Sequence, residues 1–174
     1  MSEESTPDEP PGWSFLGFSD PAFWQASHIA HSIAMVGSLP TLREDVVDSR
    51  VWVACTEAWL LHYRLLTEFL APSLRNLKSD VTRATFGWAG VDEADRSFLT
   101  ERKNLASKYL VHLSEERFPD QLSDFEYHPV TLDDMLQSNA RLFEMFDQFL
   151  AHLHEQESPV YSFLTGQLNS ARTK

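Results

Sequence analysis

An all-α fold, an up-and-down bundle of four main helices with short additional helices, is what this sequence predicts. Three observations carry the prediction. The stretch Val51–Leu70, VWVACTEAWLLHYRLLTEFL, is apolar on nearly every side of a helix, the mark of a helix covered by partners. Leu132, Met135, Leu136, Leu142, Phe143, Phe146, Phe149, Leu150 and Leu153 recur at helical spacing as one continuous stripe. No alternating run of β-branched residues between turn signals competes with these helices, and no internal repeat is present.

The elements follow in order. Residues 1–12, MSEESTPDEPPG, read as a disordered acidic tail, and 13–170 as one helical-bundle domain ending in a frayed 171–174. Trp13, Phe15 and Phe18 suggest an arm laid on the body, after which Ser19-Asp20-Pro21 reads as a cap and a first helical turn. The first helix is expected from about Pro21 to Val36, broken by Gly37-Ser38-Leu39-Pro40. Thr41 with Glu44 resembles a capping box for a separate short segment before the long apolar helix, which must end before Pro72.

Ser73–Asp92 reads as a loop with one helical turn from Asp80 to Thr85. Asp92 or Asp95 starts a third main helix to about Arg117. Steps of 100° put Phe98, Leu105, Ala106, Tyr109 and Leu113 on its core face, with Leu99 and Leu110 at the edge. Thr131 and Asp134 form the capping box of the fourth helix, expected to end near His154, and Pro159 opens a short last one.

Composition bounds the function. The chain of 174 residues, 43% hydrophobic and 12% aromatic, has the makings of one continuous core. Its only cysteine, Cys55, excludes an internal disulfide and a multi-cysteine zinc site, and suits a reducing compartment. The N-terminal residues lack the basic and apolar regions of a signal peptide, and no apolar run reaches a membrane span, so a cytoplasmic protein without a membrane partner is expected. A net charge of −12 argues against a broad nucleic-acid surface but leaves room for a local basic cleft.

Cofactor signals are weak. The six glycines form no phosphate loop, and the paired Glu-x-x-His motifs of a carboxylate-bridged metal site are missing. His28 and His31 share a helix face with Trp24 and Met35, yet two imidazoles without a carboxylate make a thin ligand set, so no metal or cofactor is assigned. The strongest constellation is His62 and Arg64 with Lys108 and His112. Two histidines could exchange protons with a 2′-hydroxyl and a leaving oxygen, while Arg and Lys neutralise a phosphorane. Residues two apart on a helix point about 200° away from each other, so His62 and Arg64 must serve different neighbours. One of them should face the Lys108–His112 margin of the third helix.

The segments TEAWLLHYRLLTEFL, KSDVTRATF and ERKNLASKYLVHLSEERF resemble small bacterial proteins related to the HEPN superfamily of helical bundles. The matching positions are His62 and Arg64, Asp80, and Lys108 and His112 followed by Leu113. The resemblance implies a bundle that often dimerises and a superfamily whose active members cleave RNA without metal in toxin or phage-defence systems. It would make His112 the acid–base group and Arg64 or Lys108 the phosphate-stabilising cation, with His62 beside them. Active members space Arg and His only a few residues apart, whereas nine residues separate Arg102 from His112. The competing expectation is a noncatalytic interaction or dimerisation module in which the same polar residues fix helix register. Trp13, Trp24 or Trp88 would be its dimer anchors.

Overall fold

In the computed structural model, which describes residues 21–45, 48–72, 81–112 and 130–173, five helices account for most of the described residues. They are α1 (Pro21–Glu44), α2 (Ser49–Leu70), α3 (Glu93–His112), α4 (Leu132–Glu155) and α5 (Tyr161–Arg172), with one 3₁₀ turn at Arg83–Phe86. The acidic tail and the aromatic arm lie outside the described residues, as does Asp80.

Contacts between the helices fix their directions. Ser32 of α1 meets His62 of α2, and Arg43 at the end of α1 lies over Trp52 at the start of α2, so α1 and α2 are antiparallel. Trp59 meets Asn139 and Phe69 meets Phe146, so α2 and α4 run the same way. Phe23 meets Phe163, and Gly37 meets Ala171, which lays α5 alongside α1. The result is an all-α bundle in which α5 supplements the four main helices.

Local chemistry explains most of the boundaries. Asp48 caps α2 by accepting from the Arg50 backbone N–H. Thr131 and Asp134 make the reciprocal box at the start of α4 that their spacing predicts, at 3.1 and 2.9 Å. The Thr131 hydroxyl, donating to the Asp134 carboxylate at 2.6 Å, and secondarily the Thr131 backbone N–H hold that carboxyl below its usual range. Pro72 follows α2, which ends at Leu70.

The expected break of α1 at Gly37–Pro40 is wrong, and so is a fresh cap at Thr41. α1 continues through Pro40 to Glu44. A proline lacks the N–H that would bond the carbonyl four residues back, here that of Val36. Asn139 of α4 supplies the missing donor, its Nδ2 reaching the Val36 carbonyl at 2.8 Å. The Asn139 Oδ1 in turn accepts from Trp59 Nε1 at 3.0 Å, so one buried amide joins α1, α2 and α4. Gly37 serves packing here: a Cβ on it would lie 2.6 Å from the Ala171 Cβ, so its bare backbone lets α5 close on α1. Beyond the proline, buried Arg43 donates to the Val130 carbonyl at 2.9 Å and stacks 3.9 Å over Trp52, tying the end of α1 to the starts of two helices.

Two further expectations change. On α3 the inward line is Asp95, Leu99 and Ala106, while Leu105 is exposed and Phe98 half-buried; Tyr109's side chain and Leu113 lie outside the described residues. The cause is Asp95, 1% exposed, whose carboxylate is claimed by Arg141 and Gln148 of α4 and turns that line inward. Trp88 is buried against Phe149 and is no surface anchor. Phe69, Phe86, Trp88, Phe146 and Phe149 close one end of the core, and His152 bonds the Phe86 carbonyl at 3.1 Å to hold the 3₁₀ turn there. On α4 only Leu136 of the expected stripe is exposed, and Leu132 is half-buried.

Candidate functional site

The candidate residues hang on the second half of α2. Its inner face, Trp59, Tyr63, Leu66 and Leu70, is buried, with Trp59 and Tyr63 stacked at 4.8 Å. Taking Tyr63 as the inward direction, steps of 100° send His62 to one flank and Arg64 to the other.

His62 lies on the α1 flank. Its Nδ1 is 3.2 Å from the buried Ser32 hydroxyl, and its ring meets the His31 ring edge-on at 5.1 Å. Burial, and secondarily the neighbouring His31, holds the His62 imidazole below the ordinary histidine range. An imidazole that resists protonation and is tied to a buried hydroxyl suits register between two helices. One turn earlier on α1, His28 packs edge-on against Trp24 at 4.3 Å. Among the described residues, no group of three or more His, Cys, Asp or Glu side chains is arranged to hold a metal ion.

Arg64 lies on the α3 flank, which identifies it as the residue of the pair that faces the third helix. It pairs with Glu68 at 3.5 Å, and Lys103 of α3 reaches the same carboxylate oxygen at 3.6 Å. Two cations therefore share one carboxylate. Asp95 of α3 meets Arg141 and Gln148 while Arg102 lies near Asp134, so α3 is antiparallel to α4 and to α2, and the next turn of α3 after Lys103, with the backbone of Lys108, comes level with Arg64. Lys108 and His112 both fall on α3, but their side chains lie outside the described residues. The structure thus parts His62 from Arg64 and keeps Arg64 beside the helix that carries Lys108 and His112.

Sequence reasoning missed Asn139, Ser138 and Asp95. A signal for the first two was present. Met135, Ser138, Asn139, Leu142 and Phe143 occupy consecutive positions of one helical stripe, so two polar side chains stand in a row of core sites and must find buried partners. Asp95 is disguised as an ordinary first-turn acid of α3, and only its neighbour Arg141 on α4 shows otherwise.

Compared with protein-family models, with curated proteins and with solved structures, the chain matches none of them. No helix among the described residues is long and apolar enough to cross a membrane.

Proposed function

We propose that this chain is a noncatalytic helical interaction module whose polar residues set helix register. The observation that carries this reading is the division of labour on α2: His62 is engaged by Ser32 and His31 of α1, while Arg64 is engaged by Glu68 beside Lys103 of α3. Each candidate catalytic group of α2 thereby has a structural partner on a different flank. The net charge of −12 also favours a protein partner over a polyanion.

A second reading has one observation in its favour. The Arg64–Glu68–Lys103 cluster carries an excess of one positive charge, beside the helix bearing Lys108 and His112. With the HEPN resemblance, that supports metal-independent RNA cleavage or RNA binding on the α2–α3 side, with His112 as acid–base group. The test is incubation of the purified chain with labelled single-stranded RNA in the presence of chelator. The interaction-module reading expects no cleavage and the same result for His112→Ala. Cleavage by the wild type that is lost in His112→Ala would replace it with the ribonuclease reading.

A further inference from the structure

α2 has a third face, opposite the core, that the bundle uses only at one margin, where half-buried Ala58 packs against the core. Ala54, Ala58, Leu61 and Leu65 fall within an arc of about 60° on the side away from Tyr63. Leu61 is 48% and Leu65 47% exposed, Ala54 is exposed and Ala58 half-buried. The other large exposed apolar side chains of the main helices are scattered: Trp24 and Leu42 lie at opposite ends of α1, Val51 and Val53 near the start of α2 on either side of the arc, Leu105 on α3 and Leu136 on α4. A helix with apolar residues on its inner and its outer side is built to be covered on both.

The stripe is asymmetric, with two small residues toward the start of α2 and two leucines toward its end. Glu57 and Arg64 line the same edge of it, one near each end. Both asymmetries point to the same occupant. We propose that the outer face of α2 pairs with the outer face of α2 in a second copy of this chain, antiparallel, about a two-fold axis passing beside Leu61. That axis lies midway between Glu57 and Arg64, so it brings the Arg64 of each copy level with the Glu57 of the other, on the same edge. It also sets each Leu65 opposite the gap between Ala54 and Ala58 of the other copy, and Leu61 against Leu61. Size and charge are therefore complementary in one register, and the interface is isologous as a two-fold axis requires. A parallel two-fold pairing would set leucine against leucine at one end and alanine against alanine at the other, and would put the Glu57 and Arg64 edges of the two copies on opposite sides of the interface, out of reach of each other. Glu57 also has a contact within its own chain, and Arg64 has Glu68, so the intermolecular pair selects register and adds to the rim while the leucines supply the core of the interface.

This inference rests on the interaction-module reading and names its partner. RNA cleavage would overturn that reading and leave the pairing standing. The pairing itself is tested by sedimentation velocity of the full chain over a wide concentration range. The wild type is expected to form dimers. Leu65→Glu is expected to be monomeric with unchanged helical circular dichroism. Glu57→Arg and Arg64→Glu alone should each weaken association by about tenfold or more, and the two exchanged together should regain most of it. A wild type that stays monomeric throughout overturns the proposal, as does a dimer indifferent to Leu65→Glu or to the charge exchange. Dimerisation that appears only after deletion of residues 1–20 also overturns it, since the chain's own aromatic arm would then be the natural cover.

Discussion

The inner and outer faces of α2 carry similar proportions of apolar residues, yet they differ in what the rest of the chain does with them. Inside, Trp59, Tyr63, Leu66 and Leu70 are buried, and the Trp59 N–H is answered: it donates to Asn139, which donates in turn to the carbonyl that Pro40 leaves without a partner. Outside, Leu61 and Leu65 stand half in water beside alanines. The inner face is explained by folding. The outer face is left largely exposed, and it is the face that the proposed pairing with a second copy would cover.

The largest effect is expected from breaking the inner network. Asn139→Ala strands the Trp59 N–H and the Val36 carbonyl together, each buried without a partner, at a cost of about 2–4 kcal/mol. Adding Pro40→Ala to that variant returns an N–H to the Val36 carbonyl and should recover about 1 kcal/mol. Urea unfolding of the four proteins of this cycle measures the coupling, and a coupling near zero would separate Asn139 from the proline.

Gly37→Ala should follow, at about 1–3 kcal/mol, because the new methyl meets the Ala171 Cβ at 2.6 Å and its Cα and carbonyl oxygen at 2.8 Å. Ala171→Gly should rescue it only in part, since the α5 backbone remains in the way. Thermal unfolding of the single and double variants decides this.

The polar flanks should give smaller effects that differ in kind. His62 binds its proton less readily in the folded chain than in the unfolded one, so as pH falls the unfolded state takes up the proton first. Stability is therefore full above the ordinary histidine pKa of about 6.5 and declines as pH falls from there toward the lower folded value, where the loss is complete. His62→Gln should flatten that part of the stability profile, measured by urea unfolding across the range. A slope that survives the substitution would assign it elsewhere. Arg64→Ala should be the mildest in the monomer, about 0.5 kcal/mol or less and diminished by salt, because its pair with Glu68 is partly solvent-exposed.

Much of this was legible in the sequence, for physical reasons that can be named. The α4 stripe, the Thr131–Asp134 box and the stop before Pro72 are local and strong, and the structure reproduces each of them. The divergence of His62 and Arg64 followed from helix geometry alone. Which of them faces α3 did not, because that depends on where α1 and α3 pack. Pro40 misled because its effect is local only when no neighbour can answer the orphaned carbonyl. Asn139 does so from 103 positions away in the chain. Leu105 misled because the pattern of leucines on α3 is outweighed by one buried carboxylate, Asp95, held by Arg141 and Gln148. The outer stripe of α2 was visible as apolar residues but read as core, since sequence periodicity does not distinguish cover by the same chain from cover by another.

The division between the two faces of α2 is tested most directly by urea unfolding of Leu61→Gln/Leu65→Gln at a protein concentration where the chain is monomeric. Glutamine keeps the helix propensity of leucine and removes only the apolar surface. If the outer face is built for a partner, the monomer should unfold within about 0.5 kcal/mol of the wild type measured under the same conditions. A loss of about 2 kcal/mol or more would show that these leucines belong to the chain's own core and would contradict the division.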